Sequence, residues 1–438
     1  MNPLLRALVV PVTLLAVAAS ASGCSGDAQA GGPAVTTLHV WRHTGTPAEL
    51  TTLEAQVRVF NASHPTVHAV LTTVAEGSYN DRLQVAATSG TMPDVVEMDG
   101  PNLANYVYQH RLVPLDDLVD ATALADQLPS ARSQDTLGGH RYAVSVIESG
   151  LGIYADRRAL RRAGVRVPAD AAHAWTGAEF VQVLRRLAAH DPDGKVLDVK
   201  RDYGVGEWLT YGFAPLVSSA GGSLIDPVTL HARGHLDGTG ARTALRALRS
   251  WAPYVDQDVK GDAFTSGRVP LSWVGHWAYP DYAKALGGNL VVVPLPDLGD
   301  GSKSGQGSWT WAVGATPAHR AAAGQFLDFL LQRDQVLTMT DADGAVPATR
   351  AALERSRLYR PGGPLRLFAE QLLHSCGGGV PTRACVSVPR PLTPGYPMLS
   401  AQFATAVDVA LSGHDPQPAL TKAAAEVDRD LRANHGYR

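Results

Sequence analysis

From Thr37 onward, short apolar stretches and well-capped helical segments take turns along the chain, and few folds accept that order. Thr37-Leu38-His39-Val40-Trp41 reads as a strand running into polar residues. Thr46-Pro47-Ala48-Glu49 then opens a helix with a Thr cap, Pro at the first helical position and a Glu placed to close a capping box. Leu50, Leu53, Val57 and Phe60 recur at steps of three, four and three, so that helix has one buried face, and Pro65 ends it. Val67–Val74 reads as a second strand, Asp81–Thr88 as a short helix and Asp94–Met98 as a third strand. Alternation of this kind predicts an α/β fold around a parallel sheet covered on both faces. Ligands of such sheets gather at the carboxyl ends of the strands.

The pattern continues. Asp156–Ala163 is helical, and a second capping box at Thr176-Gly177-Ala178-Glu179 leads into Phe180, Val183, Leu184 and Leu187 on one face. Ala241, Ala244, Leu245 and Leu248 lie at helical steps between Gly240 and Trp251, and Trp251 belongs to that apolar face. Leu290–Val293 is a fully apolar run short enough for a buried strand. After the loop Asp297–Gly307, Ser308–Ala315 is strand-like, and a helix through Phe326, Phe329 and Leu330 follows, capped by Thr316-Pro317. From about Arg350 the chain is mostly helical, with a loop-rich centre around Gly377–Pro397.

The N-terminus reads differently. Arg6, the apolar run Ala7–Ala19 and the small residues Ala21-Ser22-Gly23 form a secretory signal peptide. The apolar run is shorter than the roughly 20 residues a spanning helix needs. Cys24 at the cut site, followed by the flexible stretch Ser25–Pro33, resembles a bacterial lipoprotein lipobox and its tether. Cys24 is therefore the expected lipidation site, with acyl chains holding an exported domain on the outer face of the cytoplasmic membrane without spanning it. Removing 23 residues leaves 415, too many for one hydrophobic core. The net charge of −3 and the lack of a long basic run speak against nucleic acid as a partner. Cys376 and Cys385, close together in an exported chain, predict a disulfide closing a surface loop. His374 is the only further ligand type beside them, so no metal site and no cofactor are expected.

A series of short segments, in order, resembles family 1 of the extracellular solute-binding proteins of ABC importers, the sugar-binding group that includes the maltose-binding protein. Gly90-Thr91-Met92-Pro93-Asp94-Val95-Val96 is similar to that family's entry into a strand, and His110-Arg111-Leu112-Val113-Pro114-Leu115 to a turn in which His110 takes a glycine position. Gly139-His140-Arg141-Tyr142-Ala143-Val144, Gly152-Ile153-Tyr154-Ala155-Asp156-Arg157 and Trp175–Phe180 follow. Phe264–Pro270, Gly275-His276-Trp277, Phe326–Leu330 and Gly344-Ala345-Val346-Pro347 complete the set.

The resemblance covers the mature chain and implies two α/β lobes that close over a ligand by hinge motion. It places the signal peptide at 1–23, a tether at 24–35, the N-terminal lobe at 36–146 plus 315–347 and the C-terminal lobe at 147–314 plus 348–438. Crossings are expected near Val146–Ser149, Trp311–Gly314 and Pro347–Arg350. The implied function is capture of a sugar or oligosaccharide outside the cell, without chemistry, by a monomer that delivers it to the membrane subunits of an ABC permease. Alternatives are another small solute, such as a polyol or glycerophosphodiester, and a secreted glycoside-acting enzyme using two carboxylates across a cleft, Asp99 and Glu148. No hydrolase motif supports the last, and no catalytic residue is assigned.

Sugars present flat apolar faces edged with hydroxyls, so their sites need aromatic rings to stack and planar polar groups to bond the edges. Trp41 ends the first strand, with Arg42 and His43 immediately after it. Tyr79 resembles the family tyrosine after the second strand, and Asp99 follows the third. Glu148, at a crossing, matches a ligand-contacting acid of the maltose-binding group. Trp208 and Tyr211 lie in a Gly-rich stretch, Trp277 matches a family stacking position, and Trp309 precedes a crossing. The competing structural roles are aromatic cement between lobes, a Glu148–Arg42 salt bridge, and Asp99 as a helix cap.

Overall fold

In a computed structural model of the chain, the described residues are Val35–Ala315 and Pro317–Tyr437. The expected signal peptide, Cys24 and all of the expected tether but Val35 lie outside them, as does the cap expected at Thr316.

The first capping box forms as read: Thr46 accepts from the Glu49 backbone N–H, the Glu49 side chain closes back on Thr46, and the helix Pro47–Ser63 buries Leu53, Val57 and Phe60. Its strand partner Thr36–His43 is longer than expected and takes in Arg42 and His43. The helix after the second strand is also longer, Glu76–Ser89, so Tyr79 sits inside a helix and not in a loop. His110 does take a left-handed backbone, φ 57°, where the family resemblance asks for glycine.

Two sheets organise the chain. The first has the order Val67–Val74, Thr36–His43, Val95–Asp99, Trp309–Val313, Ala143–Val144. Its first three strands are parallel, and Trp309–Val313 enters antiparallel with Trp309 opposite Asp99. This displaces the lobe boundary expected at 314/315 and the crossing at Trp311–Gly314. The strand belongs to the first sheet, so the chain crosses between Gly305 and Trp309 instead. Apolar clusters cover both faces, one around Phe60, Trp311 and Phe326 and the other around Tyr79, Met98 and Tyr106.

The second sheet runs Leu290–Val293, Leu151–Asp156, Leu271–Gly275, Leu197–Asp198. Here the parallel expectation fails: Leu151–Asp156 is antiparallel to both neighbours, and only the last pair is parallel. Leu290–Val293 is an edge strand with only Val293 buried. One face packs Trp175, Phe180, Trp251 and Trp273 with the helices Glu207–Ser219, Thr239–Trp251 and Tyr396–Leu411, and the other packs Tyr154, Phe264 and Phe368. Between the sheets, Ile147–Glu148 pairs antiparallel with Val346–Pro347. Cys376 and Cys385 form a disulfide, and Lys303 fastens that loop by donating to the carbonyls of Thr382 and Cys385, both at 2.7 Å.

Candidate functional site

Strand ends of the two sheets supply the two walls. On the first, His43 is buried and its ring lies flat on Trp309, centroids 3.7 Å apart and planes 10° from parallel. Tyr79 meets Trp309 edge-on at 5.5 Å. Its ring is fully buried, and its hydroxyl is directed to the carbonyls of Glu97 and Trp41. Tyr79 thus buttresses Trp309 and offers no surface to a ligand. Trp41 packs half-buried against the same cluster.

The polar layer beneath centres on Glu97, which sequence reasoning did not single out. Its carboxylate takes His43 Nδ1 at 2.7 Å and lies 3.5 Å from Arg42 Nε. Burial would raise the Glu97 carboxyl, but His43 and Arg42 outweigh it and hold it below its ordinary value. Burial likewise works against a charge on His43, yet Glu97 and then Glu76 and Glu49 leave its imidazole raised. Arg42 therefore serves Glu97, and the Arg42–Glu148 bridge does not form.

Asp99 ends its strand and precedes the short turn Gly100–Asn102, but its side chain makes no capping bond to it. Its two oxygens receive Arg390 in a fork, Nη1 at 2.8 Å and Nη2 at 2.7 Å, and Nη1 also donates to Glu207 at 2.7 Å. The Arg390 guanidinium lies over Tyr211, 4.8 Å from the ring centroid. Burial disfavours its charge, while Asp99 and Glu207 more than restore it and raise the guanidinium. Arg390 joins strand-end chemistry of the first sheet to a helix packed on the second. Its only local mark in the sequence is a flanking proline on each side.

On the second wall, Gly275 ends a strand and Trp277 folds back over it. A methyl group at Gly275 would stand 2.1 Å from the ring, so glycine is what lets the ring lie there. Trp208 meets Trp277 edge-on at 6.0 Å, its own Nε1 donating to the Val199 carbonyl at 3.0 Å, and Tyr211 lies 6.3 Å from Trp277. Trp277 Nε1 donates to the Tyr203 hydroxyl at 2.9 Å. Trp251, as expected, is core.

Glu148 lies in the crossing, fully buried. One oxygen accepts from the backbone N–H of Ser149 at 2.9 Å and of Gly307 at 3.0 Å, and the other has no partner. Burial pushes its carboxyl up to about 7 against those two donors. A groove of about 890 Å³ opens beside Tyr211 and Arg390, lined by Pro215, His235 and Pro381 among others, and none of its lining residues is a tryptophan. The tryptophans and that groove are therefore different places, joined at Tyr211.

The family of bacterial extracellular solute-binding proteins matches residues 44–336. The chain belongs to that family. An uncharacterized lipoprotein of Streptomyces antibioticus is 26% identical over 370 residues, covering 80% of this chain and 78% of its own. Among solved solute-binding proteins, the GacH receptor of Streptomyces glaucescens, known unliganded and with acarbose, superposes with a TM-score of 0.74 at 22% identity, covering 92% of this chain and all of that one. A cyclic α-maltosyl-1,6-maltose-binding protein of Arthrobacter globiformis gives 0.72 at 22% identity, with 91% and 100% covered. A maltotriose-bound MalE domain of Bdellovibrio bacteriovorus gives 0.73 at 16% identity, also with 91% and 100% covered. These likenesses establish the two-lobed α/β fold.

Proposed function

We propose that this solute-binding protein is a carbohydrate receptor that captures a sugar or oligosaccharide between its lobes and hands it to an ABC import permease, without chemistry of its own. The observation that carries this is the arrangement of half-buried Trp277 on one strand-end wall and Trp41 and Trp309 on the other, each ring fixed by its neighbours. Rigid aromatic faces suit the apolar faces of pyranose rings, and the buried Asp99–Arg390 pair braces the strand end beside Trp309. The sugars bound by the three structural relatives agree with this reading. An anionic solute such as a glycerophosphodiester fits worse. Among the described residues around the cleft, Arg42, His43 and Arg390 are already paired with Glu97, Asp99 and Glu207.

Closure is proposed to bend the segments that join the two sheets, Val146–Ser149, Gln306–Ser308 and Pro347–Arg350. The protein is proposed to act as a monomer held outside the cell by acylated Cys24. Incorporation of labelled fatty acid, lost in Cys24→Ser, tests the anchor.

A thermal-shift screen of the mature protein against mono-, di- and oligosaccharides, polyols and glycerophosphodiesters tests the ligand class. At a hundredfold excess over Kd a ligand adds about 2.7 kcal/mol to stability. The expected result is a shift for a sugar, lost in Trp277→Ala, with the sugar recovered intact. Cleaved sugar would overturn the reading, as would shifts confined to glycerophosphodiesters.

A further inference from the structure

The helices Arg157–Arg162 and Gly177–Ala188 pack on one face of the second sheet, and their residues divide sharply between inside and outside. Ala159, Leu160, Val183, Leu184 and Leu187 are buried in one apolar cluster, while Arg158, Arg161, Arg162, Arg185 and Arg186 are exposed. Two observations put these arginines on a common surface. Arg186 Nη1 donates to the Gly164 carbonyl at 3.0 Å, two residues past the first helix. Arg158, Arg162, His190 and Arg268 line one dent of about 280 Å³. Residues 157–186 hold seven arginines against Asp170 and Glu179, a local charge of +5 in a chain whose total is −3, so the rest of the chain carries −8.

The acids in and around this patch are already engaged. Asp156 lies 3.2 Å from Arg158, Glu179 2.9 Å from Arg166 and Asp170 2.7 Å from His173. Asp191 accepts the backbone N–H groups of Asp193 and Gly194, and Arg268 is held by Asp256 and by Asp258 at 3.1 Å. Arg161, Arg162 and Arg185 reach solvent with no carboxylate partner among the described residues. The patch also lacks what a protein partner would need. Protein interfaces are built around apolar and aromatic side chains, and no large hydrophobic side chain is exposed anywhere between Tyr108 and Tyr203. Free guanidinium groups without apolar anchors fit a sheet of phosphates.

We propose that this arginine face docks on the phosphate headgroups of an anionic lipid bilayer, as a second, reversible attachment beside the acyl anchor proposed at Cys24, and turns this side of the second sheet toward the membrane. From Cys24 to Val35 a fully extended chain spans at most about 40 Å, which keeps the domain within reach of the headgroups. The inference does not depend on which solute the cleft takes.

Co-sedimentation tests it, using the mature protein with Cys24→Ser, hence without acyl chains, and vesicles of phosphatidylcholine with or without phosphatidylglycerol. The protein is expected to pellet with the phosphatidylglycerol vesicles at low salt, to stay in solution with phosphatidylcholine alone, and to be released by high salt. Arg161→Gln with Arg162→Gln should weaken binding about fivefold for each arginine lost, and Arg161→Lys with Arg162→Lys should retain it. Both positions are exposed, so melting temperatures should not move. Arg355→Gln with Arg360→Gln removes the same charge from exposed positions outside the patch and should change binding little. No binding at low salt, or equal binding to both kinds of vesicle, overturns the proposal. Equal losses in the two Gln double variants also overturn it, because net charge and not this face would then be responsible.

Discussion

Glu148→Gln is the substitution whose effect the structure fixes most closely. The carboxyl is fully buried in the strand pair that joins the two sheets, with two backbone donors on one oxygen and none on the other. Its folded value of about 7 lies above its ordinary 4.5, so folding takes up a proton. The stability that comes with the protonated carboxyl is complete below pH 4.5 and is lost as pH rises toward about 7. Two and a half pH decades separate those values, each worth 1.36 kcal/mol, which amounts to about 3 kcal/mol. Gln cannot ionise, and its single oxygen can still accept from both Ser149 and Gly307. Urea denaturation followed by tryptophan emission should find the stability difference between variant and parent growing in the variant's favour by about 3 kcal/mol from pH 4.5 to about pH 8. Asp135, whose carboxyl burial raises to about 6, weakens both proteins over part of this range, and its charge adds to the rise of Glu148 in the parent alone. A difference that does not change with pH would refute the reasoning.

Three further outcomes follow from the same geometry. Arg390→Met should cost about 3–5 kcal/mol in urea denaturation, because it leaves buried Asp99 and partly buried Glu207 without their cation, and Asp99→Asn in that background should recover part of the loss. Gly275→Ala should leave the protein folded but displace the Trp277 ring from its seat, abolishing any sugar-induced thermal shift and changing the tryptophan emission. Replacing Cys376 and Cys385 together by Ser should lower stability by about 2–3 kcal/mol, the loop-closure value for a short ring, and should remove the sensitivity of the melt to reductant.

The sequence disclosed what local chemistry decides. The capping boxes at Thr46 and Thr176, the strand Val67–Val74 and the edge run Leu290–Val293 are all where short-range patterns put them. The glycine before Trp277 was legible as a motif, and the structure supplies its reason: the ring occupies the space a side chain would fill. Pairings across long stretches of chain left no such mark. Nothing in Trp309–Val313 says that its partner is Val95–Asp99, some two hundred residues earlier, and the lobe boundary was misplaced for that reason. Tyr79, offered as a ligand contact on its resemblance to a family tyrosine, lies packed in a helix that starts earlier than the sequence pattern put it. Arg390, Glu207 and Glu97 escaped because an isolated charged residue shows no partner until the fold brings it one.

The place of Trp309–Val313 in the first sheet also governs when that sheet can exist. It lies between Val95–Asp99 and Ala143–Val144, so the sheet stays open until residue 313 has been made. The ribosome adds about 5–20 residues per second, which puts roughly 10–40 s between the completion of Asp99 and that of Val313. Throughout that interval the N-terminal half exposes an unpaired strand edge and cannot settle into its final packing. An export route that passes only unfolded chain would have that interval in which to engage it, since the piece that would lock the first sheet is among the later ones to arrive.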